Sequence, residues 1–393
     1  MSKPPPSNWL VLGGCGFIGR NFIKYLLDNG LAGELRVCDK KHPLQSALGA
    51  DHKAALLDER VEFVPCDLSQ DDFVGQAFST SRGGGAWDFC INLAAETTFG
   101  KKDKEFYAKG VEAASKCAAA AAAVGVKKFI QVSHAAVYKG DKYGEAGADE
   151  AAPVAPWHEV AEYCSRAEAA ARGGAGAMPV VVLRPAQVYG PGDTAGLMTR
   201  AVVASTFKAE KAKCEFLWDG ALKLSTVHVF DVARAIYFAS RKGAPGAVYN
   251  LADKGNTDQA RVAAALTAVL GVETSFKGSM MSSAAVMALG LEKIAATVNH
   301  NLMIDWMALR AAHKIDNTPL SPFLHPSLLD KTHFHINGAG IEGAPAGPAF
   351  LLPPPHLVAV THAPPSDSHS PSLPFHAHAS NTSCSDWIQV PCA

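Results

Sequence analysis

A doubly wound α/β fold, a parallel sheet covered by helices on both faces, is what this sequence predicts. Three observations carry the prediction. The apolar run Leu10–Leu12 ends on Gly13, with Gly16 and Gly19 following at three-residue spacing. About 20 residues past the last of these glycines, a second apolar run ends on Asp39. Further short apolar runs then alternate with segments of helical periodicity.

The elements follow in order. Asn8–Leu12 reads as the first strand, and Phe17–Leu27 as a helix with Phe17, Ile18, Phe22, Ile23, Leu26 and Leu27 on its apolar positions. Gly13 lets the chain turn sharply off the strand. Gly16 lets backbone approach a pyrophosphate, and Gly19 lets the helix pack closely with its N-terminus aimed at the anion. Leu35–Cys38 is the next strand. The Asp39 carboxylate that closes it can accept from both ribose hydroxyls of a dinucleotide and repels a 2′-phosphate, which favours NAD over NADP. Lys40 and Lys41 directly after it temper that preference.

Val61–Cys66 is a strand followed by Asp67 and Leu68, and Phe89–Leu93 is another, entered through the turn at Gly83–Gly85. The alanine-rich segment Val111–Val124 is helical, and Gly125 is placed to stop it. Lys128–Ser133 and Val180–Leu183 complete a set of near-continuous apolar strands, with ligands expected at their carboxyl ends. From about Gln187 the regularity weakens, and short strands at Phe216–Trp218, Thr226–Val229 and Val248–Leu251 lie among helices. The expected organisation is a dinucleotide-binding domain over 8–186 and a smaller C-terminal substrate-binding part over 187–345, interwoven with the sheet. Residues 346–393 read as a disordered Pro/Ser/His-rich tail.

Composition narrows the function classes. Of 393 residues, 48% are apolar and 19% charged, enough for a sizeable core. A net charge of −1 gives no electrostatic case for nucleic acid or an anionic membrane surface. Nine cysteines lack paired metal spacing, and Cys15, Cys38, Cys66, Cys90 and Cys214 sit in or beside apolar runs, as small core residues in a reducing compartment do. The opening Met-Ser-Lys-Pro-Pro-Pro-Ser has no apolar stretch, which points to a cytoplasmic chain. Met280–Val298 is too interrupted, by serines, Gly290, Glu292 and Lys293, for a membrane span and reads as a buried helix. His369, His376 and His378 stand on the tail without a rigid scaffold, so no metal site is expected.

Taken together and in order, the motifs resemble the extended short-chain dehydrogenase/reductase family, the NAD-dependent epimerase/dehydratase type, over roughly residues 8 to 342. They are Gly13-x-x-Gly16-x-x-Gly19, Asp39, Asp67-Leu68, Asn92-Leu93-Ala94-Ala95-Glu96, Val132-Ser133-x-x-x-Val137-Tyr138, Leu183-Arg184-Pro185-x-x-Val188-Tyr189-Gly190, Val227-His228-Val229-x-Asp231 through Arg234, and Tyr249-Asn250-Leu251. The resemblance implies a Rossmann fold with NAD as cofactor. It places Gly13, Gly16, Phe17, Ile18, Gly19 and Asp39 on the dinucleotide, with Asp67 and Leu68 bordering the adenine. Leu93, Ala94 and Ala95 should line the cofactor after the fourth strand, and Arg184, Pro185 and Val188 should form a wall between nicotinamide and substrate. The family commonly dimerises through two sheet-flanking helices, so a homodimer is implied.

Active members of that family use Tyr-x-x-x-Lys with a serine or threonine: the tyrosine exchanges a proton with the substrate hydroxyl, the lysine lowers its pKa and holds the ribose, and the serine bonds the oxyanion. Here the pattern is altered. Tyr163 is the best-placed tyrosine, but Ala167 stands at the lysine position and Arg166 is the nearest cation. His134 stands at the serine position, with Ser133 beside it. Tyr138-x-x-x-Lys142 matches literally but follows a strand and contains Gly140, as a loop does. Ala135 and Ala136 occupy the positions where 4,6-dehydratases carry Asp and Glu, which argues against that chemistry. Two expectations result. One is an oxidoreductase or epimerase acting on a secondary alcohol or ketone of a sugar nucleotide or hydroxysteroid-like molecule, using Tyr163 with His134, Ser133 and Arg166. The other is a non-catalytic NAD-binding member of structural or regulatory function.

Overall fold

The computed structural model describes residues 5–140, 146–344 and 347–348. β1 (Ser7–Leu12), α1 (Phe17–Asp28) and β2 (Ala32–Asp39) open the chain, followed by α2 (Ala50–Leu56), β3 (Val61–Pro65), α3 (Asp71–Ala77) and β4 (Phe89–Asn92). α4 (Asp103–Phe106) runs through a π-helical turn, Tyr107–Glu112, into α5 (Ala113–Ala123). β5 (Lys128–Val132), α6 (Glu159–Gly174), β6 (Val180–Pro185), β7 (Gln187–Tyr189), α7 (Leu197–Ala209), β8 (Cys214–Phe216), β9 (Thr226–His228) and α8 (Val229–Lys242) come next. β10 (Val248–Leu251), α9 (Gln259–Leu270), β11 (Thr274–Phe276), α10 (Ser279–Leu289), α11 (Leu291–Ala312) and α12 (Ala339–Gly343) complete the order.

Seven strands form one sheet in the order β10-β6-β5-β4-β1-β2-β3, every pairing parallel. The strand direction of travel reverses between β1 and β4, and a crevice at the carboxyl ends of those strands is where such sheets take ligands. The period-two alternation of each strand feeds two cores. Trp9 and Val11 pack on one face with Phe22, Ile23 and Leu26 of α1 and Val232 and Ile236 of α8. Leu10 and Leu12 pack on the other with Val74 of α3, Cys117 and Ala121 of α5, and Ala167 and Ala171 of α6. The alanines of α5 and α6 are what let these helices sit closely on the strands. Trp9 anchors the first face, its ring 5.5 Å from that of Phe22 and 4.8 Å from that of Phe89.

The chain divides into two compact units, and the division is not a single boundary at 187. One unit takes in the described residues of Met1–Leu197, Lys223–Thr257 and Thr332–Pro353; the other takes in Met198–Leu222 and Asp258–Lys331. The chain returns to the first unit because β9, α8 and β10 complete its strands and one helical layer. The second unit contains the parallel pair β8–β11. Its apolar stretch from Met280 is not one buried helix: it breaks at Gly290 (φ +78°), the two helices meet at 98°, and Met280 and Met287 are 85% and 88% exposed. Among the described residues no single helix is long and apolar enough to cross a membrane. Of the expected tail, all but residues 347 and 348 and Lys142 of the literal Tyr-x-x-x-Lys match likewise lie outside the described residues.

Candidate functional site

The glycine loop is built for close approach. Gly13 has φ +75°, and a Cβ there would lie 2.8 Å from the Ala94 backbone nitrogen. A Cβ on Gly19 would lie 2.7 Å from Gly14 Cα, so only glycine lets α1 pack this tightly. No side chain caps the N-terminus of α1, so its first N–H groups have no side-chain partner. The Asp39 carboxylate ties the loop down: it accepts from the Cys15 N–H at 3.0 Å and from the Lys41 N–H at 3.1 Å.

A cavity of about 430 Å³ opens over this loop. Gly13, Gly16, Phe17, Ile18 and Gly19 line it, as do Asp39, Asp67 and Leu68 from the β2–β3 side and Leu93, Ala94, Ala95, Pro185 and Val188 from the β4–β6 side. Burial alone would raise the Asp67 carboxyl, but the Ser69 hydroxyl and N–H, at 2.7 and 3.1 Å, more than offset it and hold the group below its ordinary value. This gathers residues more than 170 positions apart in sequence along one wall.

Ser133 and His134, at the end of β5, both line the cavity. The backbone bends into a short 3₁₀ turn after His134, so the strict in–out alternation of a strand stops there. Ser133 Oγ is not available to a ligand oxygen as a donor: it donates to Glu168 Oε1 at 2.5 Å. His134 Nδ1 accepts from the Ala136 N–H at 2.9 Å, which leaves the proton of the neutral ring on Nε2. Desolvation beside the Phe334 and His158 rings, 5.8 and 5.7 Å away, pushes His134 down to about 4. A neutral ring of this kind donates a hydrogen bond but does not take up a proton near neutral pH.

Three expected site residues lie elsewhere. Tyr163 does not line the cavity: it is buried with Phe106, Val111 and Val160, its ring stacked on Phe106 at 5.0 Å. Arg166 lies over the Tyr163 and Tyr107 rings, at 4.7 and 5.5 Å, and is largely exposed. The α6 residue that does line the cavity is Cys164, whose thiol burial pushes up to about 12. Arg184 points off the cavity because the Glu168 carboxylate captures it at 2.6 and 2.9 Å and the Tyr138 hydroxyl accepts from it at 2.6 Å. Tyr138, 1% exposed and bonded also to Asn250, belongs to that packing network.

Sequence reasoning missed Cys164, Thr97 and Lys109 as lining residues. No sequence signal marks Cys164, because the face a helix turns inward is set by its neighbours. Lys109 sits in the π-helical turn, which changes the side-chain phase relative to ordinary 3.6-residue spacing.

The profile of the NAD dependent epimerase/dehydratase family matches residues 9–252. Low-salt glycan biosynthesis protein Agl12 of Haloferax volcanii is 25% identical over 248 residues, 62% of this chain and 76% of that protein. The dTDP-D-glucose 4,6-dehydratase of Bos taurus is 26% identical over 262 residues, 64% of this chain and 70% of that protein. In fold, the chain is similar to the solved structure of Thermus thermophilus UDP-glucose 4-epimerase in complex with NAD: the TM-score is 0.56 at 22% identity, covering 69% of this chain and 85% of that one.

Proposed function

This chain belongs to the NAD-dependent epimerase/dehydratase family, and on that premise we propose that it binds NAD in the β1–β4 crevice without the tyrosine–lysine proton relay. The residues fit the dinucleotide. The uncapped N-terminus of α1 and the bare backbone of Gly13 and Gly16 suit a pyrophosphate. Asp39 suits the adenosine ribose, Asp67 and Leu68 the adenine, and Leu93–Ala95, Pro185 and Val188 the nicotinamide end. When bound, NAD supplies a hydride acceptor, and NADH a donor.

The observation that carries the reading is the roll of α6: it turns Cys164 to the cavity and buries Tyr163 against Phe106. A thiol held up near 12 neither gives nor takes a proton at neutral pH. The geometry therefore favours a dinucleotide-binding protein of structural or regulatory function. The buried Ala135 and Ala136 offer no group for dehydratase proton transfers.

A second reading rests on His134. Its Nε2–H on the cavity wall can hold a ketone oxygen or alkoxide, as a neutral imidazole does in other enzymes. Slow oxidoreduction or epimerisation of a secondary alcohol on a sugar nucleotide or hydroxysteroid-like molecule would follow. The test is to measure NADH binding by fluorescence titration, and then to follow nicotinamide absorbance with candidate alcohols and ketones. Binding without any substrate-dependent change supports the first reading, and a change abolished by His134→Phe, which has no donor, supports the second. Absence of binding overturns both.

A further inference from the structure

Lys109 is a cation that neither reading uses. It lines the cavity from the π-helical turn Tyr107–Glu112, alongside Thr97. Single π turns inside α-helices recur at functional sites because the extra residue re-aims a side chain. Two carboxylates hold the ammonium: Glu105 at 3.2 Å, one turn earlier, and Glu96 at 3.5 Å, from the segment after β4. An ammonium has three donors, and two carboxylates leave one for a ligand.

Among the described residues, the lysines that line the cavity are Lys40 and Lys109. Lys40 follows β2 and belongs to the β1–β2–β3 half. Lys109 packs beside the segment after β4 and so belongs to the β4–β5–β6 half. That is the half in which α6 presents Cys164 and no cation. Lys109 with Glu96 and Glu105 carries a net single negative charge. Such a group repels a phosphate but suits a neutral hydroxyl, which accepts from the ammonium without adding charge.

We propose that Lys109 is a binding residue for a ligand hydroxyl in the nicotinamide half of the cleft, held in position by Glu96 and Glu105 and supplying the cation that α6 does not present to the cavity. With NAD as ligand, the hydroxyl class is that of the nicotinamide-side ribose. The inference rests on the NAD reading above, and the experiment separates the two. NADH spans both halves of the cleft, whereas ADP fills the adenosine half alone.

The experiment titrates the full chain and Lys109→Met with NADH by fluorescence and with ADP by calorimetry. Lys109→Met should weaken NADH about tenfold or more, the scale of one charge-assisted hydrogen bond, and change ADP by no more than about twofold. The retained ADP affinity doubles as the check that the variant is folded. Unchanged NADH affinity, or parallel losses for NADH and ADP, overturns the role of Lys109 while leaving the NAD reading intact. A wild-type chain that binds neither ligand overturns the NAD reading and this inference with it.

Discussion

Arg184 of β6 and Glu168 of α6 form a two-bonded ion pair, at 2.6 and 2.9 Å, with both side chains 7% exposed. Ser133 of β5 donates to the same carboxylate. The pair ties α6 to β6, alongside the packing of Ala167 and Ala171 in the core. Cys164, one helical turn before Glu168, reaches the cavity, and Tyr163 lies on the neighbouring flank against Phe106.

Removing one partner leaves the other charge buried without compensation. Glu168→Ala should cost about 3–5 kcal/mol of stability, the range for breaking buried pairs. Chemical denaturation of the variant against the parent checks this. A loss within about 0.5 kcal/mol, the range of an ordinary surface change, would mean that α6 is held by other contacts.

Tyr163 separates packing from chemistry. Tyr163→Phe keeps the stacked ring and should leave NADH affinity and any turnover within about twofold of the parent, a shift of only ~0.4 kcal/mol. Tyr163→Ala should cost about 3–5 kcal/mol of stability by opening a hole beside Phe106. A Phe variant that binds normally but loses all substrate-dependent turnover would contradict the buried placement.

The turn after β1 admits glycine alone at its first position. Gly13→Ala combines a left-handed backbone, φ +75°, with a Cβ 2.8 Å from the Ala94 nitrogen. The expected cost is about 1–3 kcal/mol of stability together with loss of NADH binding. Thermal denaturation and the NADH titration read the two effects separately.

Asp39 stands beside both the glycine loop and the cavity. Asp39→Ala should weaken NAD about tenfold, the scale of a charge-assisted hydrogen bond, and NADP by less, since the variant also removes repulsion of a 2′-phosphate. Equal losses for both would place the carboxylate in the loop alone.

His134 sets a pH dependence whose sign is fixed by its direction of shift. Its folded value is pulled from the ordinary 6.5 to about 4, so between these values the unfolded chain binds a proton that the folded chain does not. Stability therefore falls as the pH drops through this window and is fully present above it. The thermal midpoint of the parent should fall more steeply from pH 6.5 toward 4 than that of His134→Gln, by circular dichroism at several pH values. Parallel curves would mean that His134 titrates normally.

Much of the glycine-loop end of the cavity was legible in the sequence because its constraints are local. Gly13, Gly19 and Asp39 are demanded by a turn, a close helix approach and a strand end, all within one strand–helix–strand unit. The two-faced alternation of Trp9, Leu10, Val11 and Leu12 is equally local, since a strand sends successive side chains to opposite faces. Tyr163, Arg166 and Arg184 lie off the cavity lining, and Lys109, which does line it, carries no local sequence signal.

The sequence by itself determined the doubly wound parallel sheet, the glycine turn and the acid at the end of β2. Only the tertiary structure decided which side chains face the cavity beyond them. A helix rotates about 100° per residue, so a shift of one position carries a side chain off a site. That rotation rests on contacts with other elements, Glu168 with Arg184 among them, and on a π turn whose hydrogen bonds re-aim Lys109, neither of which a linear pattern records.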